Sequence, residues 1–322
     1  MIKKKSVIMI LFFGIMFLVM VAVSKKITQK VQNDGENHTP RKFGASYMTM
    51  NNQYFEALDD SIEEVITSNG DVLITRDPAQ SQEKQNEQIE DMIEQGVCAI
   101  FLSPVDWKGV TPALKKCREA GIPVFNVDSY VYDSEYVEFS ILSDNYDAGV
   151  QIAKDMMKKK KEAKILIINH ENINSTALRV QGFLDTIEGH EEYQVVEHKK
   201  ITMELEIAME LTNEVIDSGV EFDVVFGGND PTALGALAAL QYKRVEDEIL
   251  IYGIDGSPDG KNMIKRGFLE GSTAQFPIEI GNQAAESAYR YLEGEEVEQN
   301  IIVPVKLITA ENLIEYDIAG WQ

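Results

Sequence analysis

The chain has 322 residues, with 30 basic against 53 acidic side chains, a formal net charge of -23 at pH 7, two cysteines and 44% hydrophobic residues. That length carries a full core and, at roughly 100 to 200 residues per domain, two domains or lobes. The acidic balance excludes a sequence-independent nucleic-acid surface, which needs a concentrated Lys/Arg field, and opposes adhesion to an anionic membrane surface.

Residues 1–33 depart from that balance. They hold Lys3, Lys4, Lys5, Lys25, Lys26 and Lys30 and no acid, so the remainder carries 24 bases against 53 acids, a net -29. Between the lysine clusters run seventeen apolar or glycine residues, 7–23. A cleaved signal has an apolar stretch of about 7 to 15 residues and a spanning helix needs about 17 to 25, so this one falls where the two overlap. We expect an export segment that stays as an N-terminal membrane anchor. Ala22-Val23-Ser24 keeps cleavage, and a secreted or periplasmic protein, as the alternative. No cysteine directly follows the run, so lipid attachment there is not expected. Residues 34–42, rich in polar side chains with Gly and Pro, read as a linker.

From Phe43 onward, short apolar runs alternate with stretches of helical period. Expected strands are 43–48, 71–75, 99–102, 123–127 and 138–142, then 164–169, 194–201, 223–227, 249–254 and 271–275. Expected helices include 54–67, 85–94, 110–120, 148–157, 205–216 and 231–241. In the first, Tyr54, Ala57, Leu58, Ile62, Val65 and Ile66 follow the 3.6-residue spacing. This alternation predicts an α/β protein of two similar lobes, each a mainly parallel sheet flanked by helices. Gly121 before Pro123 marks a helix end followed by a strand. Cys98 and Cys117 lie in such segments with no His or Cys beside them. They read as small buried hydrophobes rather than a disulfide framework or a zinc cage, with one internal pair left open.

In open parallel sheets, ligands bind beyond the carboxyl ends of the strands. Those ends carry Asn51, Asn52, Tyr54 and Phe55, then Asp128, Arg179, Asn229, Asp230, Asp255 and Gln275. Carboxylates and amides accept from hydroxyls, a guanidinium donates, and aromatic rings cover apolar sugar faces, so the set suits a neutral polyhydroxyl ligand. Each residue also has a plainer role. Asp230 before Pro231 reads as a helix N-cap, leaving Asn229 to the ligand. Asn51 or Asn52 would cap the Tyr54 helix, one of Tyr54 and Phe55 would be core, Asp255-Gly256 would be a turn, and Arg179 would be a surface ion pair. Lys158 to Lys161 reads as a helix end facing solvent, and the acidic run from Glu293 to Glu298 as a solvated turn.

These residues resemble the ribose-binding-protein-like group of periplasmic sugar-binding proteins, the type I solute-binding proteins, from Phe43 to about Ile308. The ordered set that carries the resemblance is Met50 to Phe55, Ser103-Pro104, Gly121 to Val124, Asp128, Ser143-Asp144-Asn145, Arg179 with Gly182-Phe183, Gly228-Asn229-Asp230 with Ala233 to Ala236, Gly253 to Gly256, and Gln275. The resemblance implies that Tyr54 and Phe55 pack on a sugar ring. Asn52 and Asp128 would bind hydroxyls from the first lobe, and Arg179, Asn229, Asp255 and Gln275 from the second. It implies lobes of 43–142 with 276–303 and of 143–275 with 304–322, joined by a hinge of three crossings near Ser143, Gln275 and Val303, with the ligand between them. Ser143-Asp144-Asn145 would then be hinge. Two positions depart from the family pattern: Ser129 stands where an arginine often follows the aspartate, and residues 201–203 are Ile-Thr-Met where an aromatic is usual.

The expected function is extracytoplasmic binding of a monosaccharide, a pentose or hexose, followed by closure and presentation to an ABC importer. A membrane-anchored sensor reporting to a histidine kinase is the alternative. A sugar-acting enzyme is a third reading, with Asp128 and Asp255 as its acid/base pair. His38, His170, His190 and His198 show no metal spacing, no Ser or Cys sits in a nucleophile motif, and no glycine loop cradles a phosphate. No cofactor or metal is therefore expected. A sugar-responsive repressor would need a basic helix-turn-helix where the apolar segment stands.

Overall fold

The computed structural model describes residues 39–170, 172–245 and 249–322. The expected anchor at 1–33, and all but the last residues of the linker, lie outside them. Among the described residues no helix is long and apolar enough to cross a membrane.

The first sheet is built from β1 (Lys42–Ser46), β2 (Val72–Arg76), β3 (Ala99–Leu102), β4 (Val124–Val127) and β5 (Phe139–Ser143), with β11 (Asn300–Val303) added late in the chain. The second is built from β6 (Ala163–Asn169), β7 (Tyr193–Lys200), β8 (Val224–Gly227), β9 (Leu250–Asp255) and β10 (Gly271–Ala274), with β12 (Lys306–Thr309). Their orders are β11-β5-β4-β3-β1-β2 and β12-β10-β9-β8-β6-β7. Counted within each sheet, the first five strands follow the same 2-1-3-4-5 order, a doubly wound arrangement whose crevice opens between strands 1 and 3. All pairings are parallel except β10 with β12. β3 and β8 are buried at every position, which explains their continuous apolar runs, and β4 is equally buried around Asn126.

The intervening helices are α1 (Gln53–Ser68), α2 (Gln82–Glu94), α3 (Thr111–Ala120), α4 (Asn145–Lys159), α5 (Asn174–Ile187), α6 (Leu205–Asp217), α7 (Asp230–Lys243), α8 (Pro258–Lys265) and α9 (Pro277–Leu292). α1 packs on α9 beside the first sheet, and α4 packs on α5 beside the second. Gly121, at φ 70°, ends α3 in the left-handed conformation that the Gly-Ile-Pro sequence predicts. Cys117 is buried and Cys98 half-buried.

The chain passes between the sheets after β5, after β10 and after β11. The first and third passages touch: Ser143 pairs with Val303, and the Asp144 amide donates to the Val303 carbonyl at 3.0 Å. Asp144 also caps α4, accepting from the Asp147 amide.

α4 and α5 meet through glycine. A Cβ on Gly149 would collide with the Arg179 carbonyl, and one on Gly182 with the Tyr146 carbonyl. We therefore expect Gly149→Ala to force the two helices apart. Overpacking of this kind costs about 1–3 kcal/mol or more, measurable as a drop in the midpoint of chemical unfolding. An unchanged midpoint would mean that this approach is not tight.

Candidate functional site

Asp128 directly follows β4 and Asp255 ends β9, and both residues have left-handed backbones, φ 68° and φ 143°. Such conformations cost a non-glycine residue about 1–3 kcal/mol, and they persist where the surrounding structure imposes them. At Asp128 the support is visible. Asn126, inside β4, donates to Leu102 O at 3.0 Å and Ser129 O at 2.8 Å and accepts from Ser140 Oγ, pinning the turn. Ser103 Oγ donates to Asp128 Oδ2 at 3.0 Å. At the second end, Gln275 Nε2 donates to Asp255 Oδ1 at 2.8 Å.

Both carboxylates are almost completely buried, at 4% and 3% exposure. Desolvation raises both pKa values. For Asp255, burial first and the neighbouring Asp230 charge second push it to about 8, while Arg179 pulls in the opposite direction. Arg179, on α5, is itself buried, donating Nε to Asn145 Oδ1 and one terminal nitrogen to Gly228 O, both at 2.8 Å. This overturns the surface-ion-pair reading. Its charge lies within electrostatic reach of Asp128, Asp230 and Asp255 and lowers the pKa of each.

Two other readings are corrected. Asn229, not Asp230, caps α7, its Oδ1 accepting from the Thr232 amide and hydroxyl at 2.9 and 2.6 Å. Asp230 is fully buried and accepts from the Ser257 amide and hydroxyl and the Ser272 hydroxyl. A carboxylate capping a helix in water would not need that cage; this one sits behind Asp255, whose Oδ2 faces the Asp230 amide at 3.4 Å. Tyr54 and Phe55 are both core residues, so neither is a free surface ring. Asn52 does cap α1, through the Tyr54 amide at 2.9 Å.

A small chamber between the sheets, about 30 Å³, is lined by all eight predicted residues: Asn52, Tyr54, Phe55, Asp128, Arg179, Asn229, Asp255 and Gln275. Met48, Ile173, Ser175, Thr176 and Met203 complete its wall and were not anticipated. Gln275 Oε1 is buried there and has no hydrogen-bond partner among the described residues, while the buried Tyr54 hydroxyl faces the Asp128 carboxylate. A buried polar group left unpaired costs about 1–3 kcal/mol, so the chamber presents the Gln275 carbonyl oxygen ready for a polar ligand. A larger cavity of about 230 Å³ adjoins it, sharing Met48, Asn52, Phe55, Ile173, Met203, Asn229 and Asp255.

The sheets are also tied across the cleft. Ser129 Oγ, at one position departing from the family pattern, accepts from the Ser175 amide at 3.2 Å. The Trp107 amide donates to Asn172 O at 3.3 Å, and Gln80 bonds to Glu204. Near the chain's end, Trp321 packs edge-on against Tyr54, ring centroids 5.9 Å apart. Gln322 Nε2 donates to the carbonyls of Asp255 and Gln275, at 3.0 and 2.6 Å. The buried Lys261 amine holds this tail through Gly320 O and Gln322 Oε1. Trp321 thus backs one wall of the chamber without lining it. Trp321 is half-buried, and we expect Trp321→Ala to leave a void behind Tyr54 that costs about 1–3 kcal/mol. The loss would be read by chemical unfolding; a change below about 1 kcal/mol would show that the tail does not support the site.

Comparison with known proteins places this geometry. Residues 43–296 match the family model described as a periplasmic binding protein domain. The ribose import binding protein of Bacillus subtilis (strain 168) is 30% identical over 95% of this chain and 99% of its own. An ABC transporter solute-binding protein from Bacillus halodurans C-125, solved with myo-inositol, superposes with a TM-score of 0.82 at 25% identity, covering 88% of this chain and 99% of that one. One from Agrobacterium vitis, solved with D-fucose, gives 0.80 at 26% identity, covering 84% and 96%.

Proposed function

The chain belongs to the periplasmic binding protein family, and from that premise we propose that it binds a monosaccharide outside the cytoplasm, closes on it and presents it to an ABC sugar importer. The observation that carries this reading is the chamber in which eight polar and aromatic residues from both sheets converge, with Gln275 Oε1 buried and unpartnered among the described residues. Asn52, Tyr54, Phe55 and Asp128 approach from the first sheet's side, and Arg179, Asn229, Asp255 and Gln275 from the second. A ligand bridging these groups makes its full set of contacts only with the two sides together, so it stabilises the closed form by that difference in affinity.

The lobes in this reading are 43–142 with 276–303 and 143–275 with 304–322. The hinge is formed by the passages near Ser143, Gln275 and Val303, supported by the Asp144 to Val303 bond. The apolar segment at 7–23 supports attachment to the cell membrane by an N-terminal helix, with cleavage after Ser24 or nearby giving a free protein. The import names of the relatives favour an importer over the sensor-kinase alternative. Co-purification of a permease, rather than a kinase, from solubilised membranes tests that choice.

The test of binding is a thermal shift of the full chain in detergent against pentoses, hexoses and inositols. A ligand at 100 times its dissociation constant adds about 2.7 kcal/mol and raises the melting temperature by a few degrees. No shift with any sugar, for a well-folded protein, would contradict the proposal.

A further inference from the structure

The larger cavity is continuous with the sugar chamber yet differs in character. At about 230 Å³ it exceeds the inner chamber's 30 Å³, so a ring seated on the inner groups needs the two sides to part and the outer cavity is the roomier of the two. Both sides build it: Thr49, Gln53 and Gln80 from the first, His170, Leu205 and Leu234 from the second, with Gln80 bonded to Glu204 across it. Its acidic lining is Glu204, Glu206 and Asp259 beside Asp255, and among the described residues no lysine or arginine lines it. Met203, Leu205, Pro231 and Leu234 add apolar surface beside those carboxylates and the amides of Asn51, Gln53 and Gln80.

We propose that this outer cavity is an extension subsite: the protein takes a sugar ring carrying a further substituent, such as a glycoside with a neutral or cationic aglycone. The inference rests on the sugar-binding reading of the inner chamber and goes beyond it. The inner groups read the ring. The seven shared wall residues let a substituent leave the ring without crossing backbone, and the outer cavity then receives it. The apolar strip suits the face of a second ring or a short alkyl chain. The acidic lining accepts hydroxyl or ammonium donors and repels phosphate, so a sugar phosphate is excluded.

The test is calorimetric titration of the full chain with free pentoses and hexoses, their methyl, phenyl and 2-aminoethyl glycosides, and the corresponding 1-phosphates. At least one glycoside of a sugar that binds should bind as tightly as the free sugar or tighter, and the 1-phosphates should not bind. Leu234→Trp fills the outer cavity only, so it should weaken the phenyl glycoside by about tenfold or more and leave the free sugar nearly unchanged. Glu206→Lys, at an exposed position, serves if that variant fails to fold, and should weaken the aminoethyl glycoside while sparing the methyl one. Rejection of every glycoside while a free sugar binds overturns the subsite and leaves the monosaccharide reading standing. Tight binding of a 1-phosphate, or loss of free sugar and glycoside to the same extent in the variants, also overturns it. Failure of all sugars, free and substituted, overturns both readings.

Discussion

Arg179→Met is expected to lower the stability of the protein by about 3–5 kcal/mol and to weaken sugar binding by about a hundredfold or more. The reason is electrostatic. Asp128, Asp230 and Asp255 are all buried, each has its pKa raised first by desolvation, and Arg179 acts against that rise at all three. Removing one partner from a buried charge cluster leaves the others uncompensated, which costs far more than the cluster is worth relative to an apolar replacement. The methionine also surrenders the bonds to Asn145 Oδ1 and Gly228 O, and Gly228 immediately precedes the cap of α7. Urea unfolding and calorimetry on the same variant read the two losses. A stability change under about 1 kcal/mol would show that the three acids are already neutral without the arginine.

Asp255→Asn should behave in the opposite way in stability, with a sign that depends on pH. The folded-state pKa of Asp255 is raised from 3.8 to about 8, so the native state holds a proton that the unfolded chain releases. The stability linked to this group is fully present below the unfolded value of 3.8. It is lost as pH rises towards about 8, after which the effect is level. An asparagine has no charge to bury, so the variant should match or fall slightly below wild type near pH 4 and exceed it above pH 8. Its amide keeps an acceptor for Gln275 Nε2 and sets its NH2 against the weaker 3.4 Å contact from the Asp230 amide. Sugar binding near neutral pH should nevertheless fall about twofold to tenfold, because the carboxyl is protonated there and a hydrogen bond between neutral groups contributes about 0.5–1.5 kcal/mol. Parallel stability curves of variant and wild type across that pH range would mean that Asp255 titrates normally in the folded protein.

The mainly parallel, two-lobed α/β character was open to reading because the inner strands are buried on both faces and alternate with helical stretches, whereas the strand order was not. Ten strands follow from that alternation. β11 and β12 did not, since they flank Pro304 and no helix between them marks them. α5 was hard to read because Ser175, Thr176 and Arg179 occupy buried positions of its face and hide its period. The eight site residues could be found because parallel sheets place ligand contacts at strand ends, a local signal. Asp230 misled for the complementary reason. An Asp-Pro pair at a helix start looks like a cap, while its actual partners, Ser257 and Ser272, lie 27 and 42 residues away. Trp321 and Gln322 carry no local signal at all, and their contacts with Tyr54, Asp255 and Gln275 are set only by the fold.

Asp128 is the residue on which the account turns, since its strained turn, its burial and its bond from Ser103 all serve to present one carboxylate to the chamber. The most direct test is the affinity of Asp128→Ala for a sugar that the wild type binds, measured by calorimetry beside a stability curve for the variant. The account predicts a folded protein with affinity reduced about tenfold to a hundredfold or more. A folded Asp128→Ala protein that binds the sugar as tightly as wild type would place the binding site elsewhere.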